Sequence, residues 1–178
     1  LNVRDEIYLI DCGEGTQERL RMAGVNFNRI GRIFISHLHG DHYLGLMGLL
    51  SSMHLQGRLR ELHVYGPSDL KEVVHLQLRV SQTYLRYPLH IHAVASVSGE
   101  VIMEDERVTV TALALKHRLP CTGLVVKERA ALRSLRIEKL PVIPAYRRTS
   151  VKEGEDLVLE DGTIIPNAEL TLDPPAQR

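Results

Sequence analysis

"RIFISHLHGDHYLGL", residues 32–46, places three histidines and an aspartate within six positions, directly behind a short apolar run. The run RIFIS (32–36) reads as a strand that is apolar on both faces, as a central strand covered on each side should be. His37 and His39 then leave the strand end on one side, with Leu38 turned away. Gly40 permits a sharp backbone turn, so Asp41 and His42 fall in the first turn of a following helix, facing back toward the strand end. Neutral imidazole nitrogens together with carboxylate oxygens suit zinc or another borderline first-row metal. Four donors from so short a segment exceed what one open catalytic ion takes. The spacing therefore points to two adjacent ions, His37 with His39 on one and Asp41 with His42 on the other.

Outward from this loop, strands and helices alternate. EIYLID (6–11) reads as a strand ending in the Gly-rich turn CGEG, and TQERLRMAG as a short helix with Thr16 as N-cap and Gly24 as stop. Leu46, Leu49, Leu50 and Met53 recur at helical spacing, which predicts a helix over 42–55 closed by Gly57. LHVYG (62–66) is a third strand, and Pro67-Ser68 opens a helix running to about Tyr84. From residue 90 the pattern turns to strands, HIHAVAS, RVTVTALAL and TGLVVKE. Asp161-Gly162, between two apolar runs, predicts a hairpin. The class is α+β, with sheets covered by helices on their outer faces.

With 178 residues, 44% of them hydrophobic, the chain has the makings of a soluble globular domain with a sizeable core. No apolar run reaches the roughly 18–20 residues that spanning a bilayer takes, and LNVRDEIYLIDCGEG does not read as a signal peptide. Cys12 and Cys121 are too few for a disulfide framework and read as reduced, buried thiols of a cytoplasmic protein. Net charge is zero, so only the distribution of charge speaks to a polyanionic partner. Residues 127–152 hold eight Lys and Arg against Glu128 and Glu138, in an irregular stretch containing Pro141 and Pro144. The chain opens without Met and stops at DPPAQR, and we expect a single domain over 1–178 cut at both ends.

H-x-H-x-D-H behind an apolar strand resembles the metal motif of the metallo-β-lactamase superfamily. LIDCGEGTQERL followed by ISHLHGDHYLGLMGLL is similar, more specifically, to the ribonuclease Z family, endonucleases that trim the 3′ trailer from precursor tRNA. VYGP, LKHRLPCTG and KEGEDLVLEDGTIIPN also sit where that family has comparable segments. The resemblance implies a metallo-β-lactamase fold, a four-layer αββα sandwich of which this chain is an incomplete part. It implies two Zn2+ per subunit, with His37 and His39 joined by His117 on the first and with Asp41 and His42 on the second. Asp11 would fix a ligand's orientation. Asp41 would orient water and accept its proton as hydroxide held by the zincs attacks a phosphodiester, leaving a 3′-hydroxyl on the tRNA.

The family extrudes a basic arm that grips tRNA, which the resemblance places at about 128–152. Arg133, Arg136, Lys139, Arg147, Arg148 and Lys152 are then the candidate RNA contacts, acting through phosphates. The expected Gly-Pro-rich tip is replaced by LPVIPAYRR. Precursor tRNA as partner, a homodimer and a cytoplasmic location follow from the same resemblance. The family's bridging aspartate, last zinc histidine and leaving-group acid have no counterpart in these residues, so weak or no activity is expected from them alone. Two readings compete: another hydrolase on this fold, acting on a thioester, lactam or sulfate or phosphate ester, and a non-catalytic RNA-binding half. His90 and His92 read as a half-exposed strand face, and His54, His63 and His75 carry no assigned chemistry.

Overall fold

The computed structural model of the protein describes residues 1–3, 6–129 and 132–174. The chain packs as two compact units, one of Leu1–Asp105 with Thr109–Lys127, the other of Glu106–Val108 with the chain from Glu128 onward. Among the described residues no helix is long and apolar enough to cross a membrane.

In the first unit, β1 (Asn2–Val3), β2 (Glu6–Ile10), β3 (Ile30–Phe34), β4 (Leu62–Gly66) and β5 (Leu89–Ala93) form a five-stranded sheet in that order. β1 is antiparallel to β2, and every later pair is parallel. Parallel neighbours need crossovers, and the helices supply them: α1 (Thr16–Met22) after β2, α2 (Gly40–Tyr43) and α3 (Leu46–Leu55) after β3, and α4 (Asp69–Val80) after β4. Ile7 pairs with Ile30 but Tyr8 with Arg32, so Gly31 bulges out of the ladder. A Cβ on Gly31 would collide with the Glu6 carboxylate, which receives Arg32 Nη1 at 2.7 Å and a second guanidinium from Arg60.

The core lies between this sheet and its helices. Ile33, Ile35, Leu62 and Val64 face Leu46, Leu49, Leu50 and Met53 of α3 and Leu70 and Val74 of α4. Each such side chain contributes about 1.5–3 kcal/mol by leaving water. Arg58, only 1% exposed, closes the α3–β4 corner from inside. Its Nε and Nη2 donate to the carbonyls of Arg60 (2.7 Å) and Glu61 (2.6 Å), and its guanidinium lies 5.4 Å from the Tyr87 ring centre.

Three local expectations shift. The helix expected over 42–55 divides into α2 and α3, because Gly45 is pressed against the preceding turn: its N–H donates to Cys12 O at 2.9 Å, and a Cβ there would strike Gly13 O. The cap of α1 is Gly15, in the left-handed region at φ 75°, and Thr16 is the first helical residue. α4 ends at Val80, four residues short of Tyr84. Gly24 and Gly57, both at positive φ, end their helices as expected.

The first unit also carries β6 (Val101–Glu104), β7 (Val108–Leu115) and β8 (Cys121–Glu128), a sheet ordered β6-β7-β8. The Tyr8 hydroxyl donates to Asp105 Oδ2 at 3.2 Å, and Thr122 N donates to Ser36 O at 3.0 Å.

The second unit has a small core of Ile143, Val151, Leu157 and Leu170. It is built from β9 (Ser134–Leu135), α5 (Arg148–Lys152), β10 (Leu157–Val158), β11 (Ile164–Ile165), α6 (Asn167–Leu170) and β12 (Thr171–Leu172). β9 pairs with β12, and β10 with β11 forms the expected hairpin, with Gly162 at φ 83°. Buried Asn167 ties it together, its Nδ2 donating to Val151 O (2.6 Å) and Glu155 O (2.8 Å). The basic stretch 128–152 thus carries short elements and anchors Ile143 and Val151 in a core, while its Ala130 and Ala131 lie outside the described residues, as do the last four of DPPAQR.

Candidate metal centre

The histidine loop begins where β3 ends, and its first contacts are backbone clamps. Ile35 N donates to Tyr65 O (2.7 Å), Asp11 N to Phe34 O (2.7 Å) and Cys12 N to His42 O (2.7 Å). Asp11 adopts φ 56°, a left-handed conformation that costs a non-glycine residue about 1–2 kcal/mol. That turn aims its carboxylate at the loop. Oδ1 accepts from Ser36 N at 2.8 Å, and Oδ2 accepts from Ser36 Oγ at 3.1 Å and from His42 Nδ1 at 2.7 Å.

These bonds fix the tautomers. His42 gives its Nδ1 proton to Asp11, so its Nε2 carries the free lone pair. The Ser36 hydroxyl spends its proton on Asp11, so it accepts from His37 Nδ1 at 3.0 Å and leaves His37 Nε2 unprotonated. His37 Nε2 lies 3.0 Å from His39 Nδ1. His117, just past β7, accepts Leu119 N on its Nδ1 at 3.3 Å, and its ring centre sits 4.6 Å from that of His37 and 5.0 Å from that of His39. One donor atom from each of His37, His39 and His117 lies within 4.8 Å of the others.

Electrostatics agree with this division. Burial, and then the neighbouring His42, His117 and His39 rings, push His37 below the usual imidazole range. The hydrogen bond to Asp11 raises His42. Three converging imidazoles, with His37 only 4% exposed and held neutral, are a donor set for a divalent transition ion. Asp41 Oδ2 stands 3.4 Å from His42 Nε2, and its side chain is 76% exposed. His37, His39 and His117 converge at one end of the parallel strands, with His42 against His37, Asp11 bonded to His42, and Asp41 beside His42 at the exposed edge.

The six expected RNA contacts divide in two. Arg133 is engaged with Asp173 (2.7 Å) and Thr171 Oγ1 (2.7 Å), Arg147 with Glu155 (3.7 Å), and Arg136 with Glu138 (3.9 Å). Lys139 is half-buried, whereas Arg148 and Lys152 are exposed. Sequence reading passes over a second gathering, Glu61, His63 and His90, whose donor atoms also lie within 4.8 Å of one another. Glu61 stands just before β4, His63 on it and His90 on β5, and only the β4–β5 register, His63 opposite His90, reveals it.

The family model described as Anti-Pycsar protein Apyc1 matches residues 1–135. Curated relatives named Ribonuclease Z include one from Bacteroides fragilis, 40% identical over 98% of this chain and 59% of its own length, and one from Nostoc sp., 41% identical over 94% and 52%. This chain thus spans little more than half the length of the curated relatives it matches. The crystal structure of human tRNase Z, short form, superposes with a TM-score of 0.66 at 34% identity, covering 72% of this chain and 56% of that one. A diphosphatase of the PhnP family, at 17% identity, TM-score 0.52 and coverage of 78% and 53%, shares the fold alone. The fold implies a metal cofactor, which the histidine donor set suits. The chain has the metallo-β-lactamase fold, is a homologue of the proteins named Ribonuclease Z, and belongs to the family that the Apyc1 model describes.

Proposed function

We propose that this chain forms the metal-holding part of a phosphodiester endonuclease that removes the 3′ trailer from precursor tRNA. The convergence of His37, His39, His42 and His117, with Asp11 fixing His42, carries the reading. The relatives' names and the human tRNase Z likeness support the substrate. His37, His39 and His117 would hold one Zn2+, and Asp41 with His42 a second. Bound there, the cations supply Lewis acidity, which polarises a phosphoryl oxygen and makes water more acidic near neutral pH.

The chain's own groups do the rest. Asp11 and Ser36 hold His42 and His37 in the tautomers that present Nε2. Asp41, solvent-facing beside His42, orients the attacking water and accepts its proton on Oδ2. Arg148 and Lys152, exposed on α5, with Arg133, Arg136, Lys139 and Arg147 around them, contact tRNA phosphates as an arm of the same domain. We extend the proposal to a homodimer acting in the cytoplasm, where two free, buried cysteines stay reduced.

One incubation tests the activity. The whole protein of which this chain is the metal-holding part, incubated with precursor tRNA with and without chelator, should cut just past the discriminator base and leave a 3′-hydroxyl. Chelator and Asp41→Ala should each abolish the cut. Turnover of a thioester or lactam with intact precursor tRNA would instead assign another hydrolase of this fold.

A further inference from the structure

At the opposite end of the parallel strands from the histidine loop, Glu61 precedes β4, while His63 of β4 and His90 of β5 stand as cross-strand partners. Glu61 Oε2 lies 3.3 Å from His90 Nε2 and 3.6 Å from His63 Nε2. Both separations are longer than a charge-assisted hydrogen bond of about 2.7–2.9 Å. They match the edge of a tetrahedron around an ion bonded at about 2.0–2.2 Å, which is roughly 3.3–3.6 Å. We propose that Glu61, His63 and His90 form a second divalent transition-metal site, distinct from the His37–His39–His117 centre, with a fourth position open to solvent.

The surroundings are those of a prepared site. His63 Nδ1 lies 3.0 Å from His92 Nε2, so a proton on Nδ1 is donated to His92 and His63 Nε2 is left free toward Glu61. The rings form a column: His90 and His63 stack at 4.8 Å, His63 and His92 at 5.2 Å, His92 and Tyr65 at 4.5 Å, and Tyr65 and Phe34 at 4.9 Å. Buried aromatic packing at one end therefore holds the imidazoles in register at the other. The Glu61 backbone is pinned by Arg58 Nη2 on its carbonyl. Two nitrogens and one carboxylate oxygen suit Zn2+, Ni2+ or Cu2+ rather than Mg2+ or Ca2+. The inference is independent of the tRNA-processing reading.

The test is a metal count on chelator-stripped protein, titrated with Zn2+ by calorimetry. The double variant His39→Ala/His117→Ala should empty the loop centre and still take up zinc at Glu61–His63–His90. Adding His90→Asn or Glu61→Gln to that background should remove the remaining uptake. His92→Phe, which keeps the stack but not the hydrogen bond, should weaken that uptake roughly 10–100-fold. Cu2+ in the double variant should show electron-spin coupling to two nitrogens, and that signal should be lost after His90→Asn. Circular dichroism melts confirm that each variant is folded, and Glu61→Gln serves if His90→Asn is not. Zinc uptake that is absent in the folded double variant, or unchanged by Glu61→Gln, would overturn the site.

Discussion

The two imidazole clusters of the first unit are held by different means. Around the loop, three of the four rings are fixed by hydrogen bonds from other groups, Asp11 on His42, Ser36 on His37 and Leu119 N on His117, while His39 meets His37. On the sheet, His63, His90 and His92 are fixed by stacking and by strand register, with a single imidazole–imidazole bond among them. His37 of the loop is buried at 4% exposure while His117 beside it is exposed, and on the sheet the His90 side chain is 45% exposed. Hydrogen bonding fixes both ring orientation and tautomer, whereas stacking fixes orientation.

Four perturbations break or sharpen that contrast. Asp41→Asn, which removes the proton acceptor and leaves both clusters' imidazoles in place, should lower kcat of tRNA cleavage roughly 10²–10⁴-fold. Zinc uptake at Glu61–His63–His90 should not change in that variant. Leu50→Ala strikes the fully buried core of the first unit and should cost about 2–5 kcal/mol in urea-unfolding stability.

Asp11→Asn keeps a side chain that tolerates φ 56° but lacks the charge, and should weaken zinc binding at the loop roughly 10–100-fold, read by competition with a chromophoric chelator. Equal weakening at the sheet cluster would erase the distinction between them. The smallest effect is expected in the other unit. Arg148→Ala/Lys152→Ala should make the slope of log K against log salt for tRNA binding shallower by about 1.4–1.8, because two phosphates are no longer neutralised. Turnover of a small phosphodiester should be spared.

Legibility in the sequence followed contiguity. His37, His39, Asp41 and His42 share one loop, so their residue types and spacing alone imply a metal, and β4 falls on 62–66 as its apolar alternation requires. His117 and Asp11 are reached through family resemblance, because the contacts that bring them to the loop cross the chain. The break at Gly45 is invisible because it comes from the Gly13 carbonyl, a backbone group with no side-chain signature. The cluster of Glu61, His63, His90 and His92 stays hidden because no carboxylate follows His92. Its carboxylate comes from 29 residues earlier than His90, set opposite by parallel pairing. The anchoring of the basic stretch by Ile143 and Val151 is likewise hidden, since Leu157 and Leu170, which complete that core, lie beyond it.

The contact between the rings of His37 and His117 has a bearing on how the molecule is born. Eighty residues separate them, 117 minus 37, so at about 5–20 residues per second the ribosome delivers the later ring roughly 4–16 s after the earlier one. During that interval the nascent loop offers fewer donors than the finished protein. A cation bound in that interval would lack the His117 nitrogen, which arrives only once β7 has been laid down.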